Sequence, residues 1–464
     1  MNRRRVLSGV LGAVLGSLLV VGVAEASNVA AGLGGDSGSA ETPTWLFVIT
    51  GGGVIAASSM LSMLVTDREL LMELHAPELT ITSPAALRRG AGLVGGTLGL
   101  LGLLAVIVVG IWGPQQGTVN FAVLLVFVGG RSLLTITAYL VGNPWPALNP
   151  WRRIAAVFPT GVFEYPRRIG LWPAVLGLLL LIYLEIVLPV TEVPWLLATL
   201  LVVYSVVTVA GAVAVGPNDW FRYADPVSVW FRLYSAVAPL QRTDNGWELR
   251  VPGARLRERD VLEDRSAVAF VIVLVYELTY SGFVATPAGA TVLEALAATG
   301  LPPRLLYLLL LIAGYAVFYG VYRWAAARSR ESAQTYISAD YLAYRFAPPL
   351  LGIAAGYHLA HFAGFGLSLT PSLFGTALAP FSPPLPPQVL VLPSWFGTLN
   401  VGFLLLGHLV AIWYAHATSF DLFPGRLQSI RSQYPFVVVM VVYTMVSIWI
   451  LSMPTVEPPF VGVG

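Results

Sequence analysis

Four of the chain's five histidines lie on two neighbouring apolar stretches, 347–365 and 395–418, as Tyr357-His358-Leu359-Ala360-His361, Gly407-His408 and Ala415-His416. Residues three apart share one face of a helix, so His358 and His361 point the same way if their stretch is helical. Imidazoles joined by a carboxylate form a donor set for zinc, copper or iron, and such a metal with an open position activates water. His358, His361, His408 and His416 are therefore candidate metal ligands. A b-type haem held between His358 and His408 is a second use of the same nitrogens. Three other ionisable side chains, Arg131, Glu185 and Glu277, fall inside further apolar stretches. Charges at membrane depth are costly to insert and mark functional positions. The two glutamates are candidate catalytic groups, ligands or proton carriers, and Arg131 is the balancing charge.

Composition says what must position these groups. The 464 residues are 56% hydrophobic and only 11% charged, with a mean hydropathy of +0.76, far from a soluble domain and typical of a chain that crosses the bilayer repeatedly. There is no cysteine, which excludes disulfides, thiolate metal sites and cysteine nucleophiles. A net charge of +2 and the lack of a basic stripe interleaved with aromatics exclude a nucleic-acid partner. The partners to expect are the lipid bilayer and a small or membrane-dissolved substrate.

Arg3, Arg4 and Arg5, an apolar run and the exit Ala24-Glu25-Ala26 have the form of a cleaved signal peptide over 1–26, leaving 27–464 as one polytopic domain. Apolar windows long enough to cross about 30 Å of hydrocarbon follow at 44–66, 91–113, 119–141, 170–190, 194–215, 266–285, 304–325, 347–366, 395–418 and 435–453. The expected fold is thus an all-α integral membrane protein of ten helices, since a lone helix satisfies its own backbone in lipid. Every basic residue is arginine, and outside the signal nearly all fall on the alternate connections 67–90, 142–169, 216–265, 326–346 and 419–434. The positive-inside rule then puts these loops in the cytoplasm and both mature termini outside, in the cell membrane. The mixed-charge loop 216–265 is expected to be solvated, and the uncharged, proline-rich loop 367–394 to cap the site from outside.

Two of the arginine-rich loops look alike. Asn149-Pro150-Trp151 and Asp225-Pro226 each read as an N-cap with proline at the first helical position. The Arg and Trp that follow suit a short amphipathic helix lying in the interface. Each loop leads to a helix carrying a glutamate, Tyr183-Leu184-Glu185 and Val275-Tyr276-Glu277, so a duplicated helix hairpin is expected. Counting helical rise from each entry point puts Arg131 about 18 Å below the outer face, Glu277 and His358 about 16 Å above the inner face, and His408 about 19 Å below the outer face.

The stretches Leu148-Asn149-Pro150, Leu171-Trp172-Pro173-Ala174 with Leu184-Glu185, Asp225-Pro226, Gly356-Tyr357 with Ala360-His361, Gly407-His408 to Ala415-His416, and Arg431-Ser432-Gln433 with Tyr443-Thr444 resemble a family of bacterial polytopic membrane proteins often labelled fenitrothion hydrolase. That resemblance implies shared positions at Glu185, His361, His408 and His416 and, from the label, phosphotriester cleavage. This chain carries Ser281 where members tend to have Asp. Three functions remain in play: metal- or haem-dependent redox or hydrolytic chemistry, proton-coupled secondary transport of a small solute, and a structural bundle without a site. The first requires stoichiometric metal, the second gradient-driven flux.

Overall fold

The computed structural model describes residues 44–73, 79–243 and 246–461; the expected signal segment 1–26 and His75 lie outside the described residues. The main helices are α1 (Thr44–Ser62), α2 (Ala85–Trp112), α3 (Phe121–Leu140), α4 (Pro150–Ala155), α5 (Trp172–Val187), α6 (Pro194–Val215), α7 (Pro226–Tyr234), α8 (Arg265–Val284), α9 (Pro303–Ser332), α10 (Leu350–Leu378), α11 (Phe396–Leu422) and α12 (Arg426–Ser452). Among the described residues nine helices are long and apolar enough to cross a membrane. The tenth expected span, α5, is helical but has 16 residues, about 24 Å of rise against about 30 Å of hydrocarbon. The chain is an all-α, multi-pass membrane protein.

Helix α8 forms its axis. Every residue from Ser266 to Tyr280 is buried, as expected for a helix that is apolar all round. It packs against α5, α9, α10 and α12, while α2 and α6 form a flanking pair and α1 packs against α12 and α11. Helices α10 and α11 are neighbours along much of their length, and they approach closely at glycines. A Cβ on Gly356 would lie 2.5 Å from the Phe403 carbonyl and 2.7 Å from Gly407 Cα. In lipid, where apolar burial between helices gains little, such close backbone contact is a main source of helix association.

The five arginine-rich connections meet on one face, all through the loop 216–265. Arg167 pairs with Asp219, Arg265 with Asp340, and Arg257 with Asp421. The link to the connection 67–90 is a three-stranded antiparallel sheet. Strand β1 (Leu79–Thr82) pairs with β3 (Gly246–Leu249), which pairs with β2 (Leu240–Thr243). No sheet was expected in a loop read as solvated and mixed in charge. The strands Leu240–Thr243 and Gly246–Leu249 are short, and the second partner of Gly246–Leu249, Leu79–Thr82, lies more than 150 residues away, which local pattern does not reveal.

Two further expectations are corrected. The cap expected at 367–394 begins later, because α10 runs on through Pro371 to Leu378. Its polar face holds the loop instead: Ser372 Oγ donates to Gln388 O at 2.6 Å and Leu390 N–H to Ser368 O at 2.8 Å. The caps at Asn149 and Asp225 are present, accepting from Arg152 N–H at 3.0 Å and Ser228 N–H at 2.8 Å. Yet α7 does not lie open on the surface of the bundle. Its Val229, Trp230, Phe231, Leu233 and Tyr234 are buried among the long helices, because both its faces are apolar enough to be covered.

Substituting Gly356→Val should overpack the α10–α11 contact, where the opposing atoms are backbone and cannot swing away. A loss of about 1–3 kcal/mol is expected, read as a lower thermal midpoint in detergent, whereas Gly320→Val, on an open face, should leave the midpoint unchanged.

Candidate functional site

The site begins with an irregular turn of backbone. Within α3, Leu125–Leu134 is π-helical, with the Thr135 N–H reaching Gly130 O five residues back. Gly129 and Gly130 precede Arg131 there, and a π segment in a longer helix commonly re-aims a functional side chain. Partners on two other helices hold the segment. His358 on α10 lies with Nε2 2.9 Å from the Arg131 carbonyl oxygen. A carbonyl only accepts, so Nε2 carries the proton and Nδ1 accepts from the Tyr139 hydroxyl at 3.2 Å. Ser132 Oγ donates to Phe362 O at 2.8 Å, and Trp230 Nε1 on α7 donates to Thr135 Oγ at 3.3 Å.

The Arg131 side chain meets two carboxylates. Its Nη2 donates to Glu277 Oε2 at 2.9 Å, and its Nε lies 3.0 Å from Glu185 Oε1. The first contact is an aligned hydrogen bond, whereas the second is an ion pair whose N–H points elsewhere. The carboxylates differ in setting. Glu277, on the enclosed α8, has no exposed side-chain surface and leaves Oε1 without a hydrogen-bond partner. Glu185, two residues from the end of α5, is 31% exposed. Aromatic rings flank the guanidinium, with Cζ 5.6 Å from the Trp230 ring centre and 5.0 Å from that of Phe362, distances at which the π face attracts the cation. Tyr139, Tyr234 and Phe362 enclose His358, whose ring stacks on Phe362 at 4.6 Å.

The structure thus joins three of the sequence candidates, Arg131, Glu185 and Glu277, with His358 as a support for their backbone. It does not bring together His358, His361, His408 and His416, the expected metal and haem ligands. Gly356 faces α11; His358, two residues or about 200° further round, faces α3 and spends both ring nitrogens there. His408 therefore lies on the other side of α10 from His358, donating Nδ1–H to its own Leu404 O at 2.9 Å with Nε2 buried and unpartnered. His361 is bound through Nδ1 to Tyr357 O at 3.2 Å. Taking the Gly356–Gly407 contact as a level, it stands about 9 Å along the bundle from His408. His416 is remote from all of these, held between Val65 O at 2.7 Å and Gln433 Oε1 at 3.1 Å. Among the described residues no three His, Asp or Glu come together to hold a metal ion. Of the positions implied by the family resemblance, Glu185 belongs to the charged site and His361, His408 and His416 stand apart from it.

Reading the sequence for ionisable groups missed Tyr139, Trp230, Tyr234 and Phe362. The one available signal was Trp230 and Tyr234, four apart and so on one face of the helix started by Asp225-Pro226.

Fold and site together define a multi-pass membrane protein with a carboxylate–guanidinium–carboxylate cluster inside its helix bundle. Comparison with protein-family models, curated proteins and solved structures finds no match to this chain.

Replacing Arg131 with Met strands a fully buried carboxylate, which is expected to cost about 3–5 kcal/mol, and removing Glu277 as well should restore a large part of it. Thermal unfolding of Arg131→Met and Arg131→Met/Glu277→Met measures this. A double variant no more stable than the single would mean that the two charges do not offset each other.

Proposed function

We propose that this protein is a proton-coupled secondary transporter of a small solute, with Glu185 and Glu277 as the proton-binding groups and Arg131 as their counter-charge. The carrying observation is the imbalance of two carboxylates against one guanidinium in a site walled by Trp230 and Phe362. With all three ionised the cluster has a charge of −1. In a medium that solvates charge poorly, one bound proton removes that excess. The unpartnered Oε1 of Glu277 offers one place for it, and Glu185, 31% exposed, offers a second.

The surrounding architecture fits this reading. We take the arginine-rich face as cytoplasmic and the protein as resident in the cell membrane, with its mature termini outside and a signal peptide preceding them. Glu185 and Glu277 follow the two similar loops, so a duplicated hairpin would frame the site with one carboxylate from each copy, as repeats do in many carriers. Metal- or haem-dependent chemistry has no comparable support, because the histidine nitrogens do not converge. Phosphotriester cleavage, implied by the family resemblance, draws only on Glu185 among the shared positions.

Potentiometric titration of detergent-purified wild type and Glu277→Gln between pH 8 and pH 5 tests the proposal. As pH falls, the wild-type cluster passes from −1 to neutral, so it should take up about one proton more than a variant whose cluster is already neutral. Superimposed titration curves would refute a proton-binding role for this cluster.

A further inference from the structure

We infer that the solute is a small organic monocarboxylate, and that it binds by taking the place of Glu185 on Arg131. This rests on the proton-coupled reading and adds the chemical class of the cargo.

The two carboxylates on Arg131 are not equivalent, and the difference tells which one can leave. Glu277 is sealed within α8 and bound by an aligned hydrogen bond to Nη2. Glu185 is 31% exposed, close to the C-terminal end of α5, and touches Nε through an unaligned pair at 3.0 Å. It is the weaker and more accessible partner. A guanidinium prefers a carboxylate that engages two of its N–H groups side by side. Here Nη2 and Nε are divided between two acids, so neither acid has that arrangement. A free carboxylate at the position of Glu185, without a helix to fix its approach, can align with the Nε–H that Glu185 leaves without a hydrogen bond.

Charge makes protonation the trigger. Ionised Glu185 holds the position itself, and an arriving anion would bring the cluster to −2. Once Glu185 is protonated it no longer competes, and proton plus anion enter with no change in the charge of the cluster. The step is therefore an electroneutral one-to-one symport. The faces of Trp230 and Phe362, which flank the guanidinium, give the site an apolar lining that suits an organic anion better than a strongly hydrated inorganic one.

Benzoate serves as the probe, with benzylamine as a cation of the same shape, in thermal-shift and tryptophan-fluorescence titrations of the full chain in detergent between pH 5 and pH 8. For wild type, benzoate affinity should fall as pH rises, by up to about tenfold per pH unit, as one linked proton requires, and benzylamine should have no effect. Glu185→Gln should bind benzoate with the wild-type low-pH affinity at every pH. Glu185→Asp keeps the acid but shortens its reach, so it should bind benzoate more tightly than wild type at pH 7 while retaining the slope. Binding of benzoate to none of these proteins overturns the inference, as does an unchanged slope in Glu185→Gln. If wild type still takes up the cluster proton in the titration described above, only the cargo is refuted; if it does not, the transporter reading falls too.

Discussion

A guanidinium cannot be left alone in hydrocarbon, and much of the interior of this protein follows from having one there. Arg131 stays charged under any accessible condition, so the bundle must supply anions and polarisable surface around it. It draws a carboxylate from α8, a second from α5, aromatic faces from α7 and α10, and a backbone anchor from His358. Four other helices converge on the helix that carries this side chain. The anions outnumber the cation, and the cluster ties α3, α5 and α8 together.

How much of this can be read from sequence depends on the range of the interaction. The ten apolar stretches are legible because each helix satisfies its own backbone, and the common face of the arginine loops is legible because crossing a bilayer alternates sides. The caps at Asn149 and Asp225 are legible because a cap is a contact over three residues. Arg131 paired with a buried glutamate can be anticipated from the cost of leaving it unpaired. The separation of His358 from His408 is not legible, because depth along a helix says nothing about direction around it. His358 and His408 lie at similar depths, but the glycines at 356 and 407 set which faces of α10 and α11 meet, and that turns His358 toward α3. The sheet of Leu79–Thr82 with Gly246–Leu249 and the burial of α7 are long-range facts with no local signal.

The buried position of α7 changes how the duplicated-looking loops are understood. Asn149 Nδ2 donates to Ser228 Oγ at 3.2 Å, and Trp145 Nε1 to the same oxygen at 3.0 Å, so the two loops dock on each other. Their resemblance in sequence then reflects shared packing duties as well as any common descent. Through Trp230 and Tyr234, the second loop reaches the charged cluster directly.

The place of α1 carries a consequence for biosynthesis. It is the first described helix, yet its neighbours are α11 and α12: Gly51 and Gly52 lie against Ile448 and Met445, and the segment after it is gripped by His416 through Val65 O. Those partners emerge from the ribosome some 350 residues later. Until then α1 waits in the bilayer without its final contacts, and closure of the bundle is a late event that ties the beginning of the chain to its end. A membrane protein assembled in this order leaves its first described helix exposed longest, and surveillance of incomplete chains would act there first.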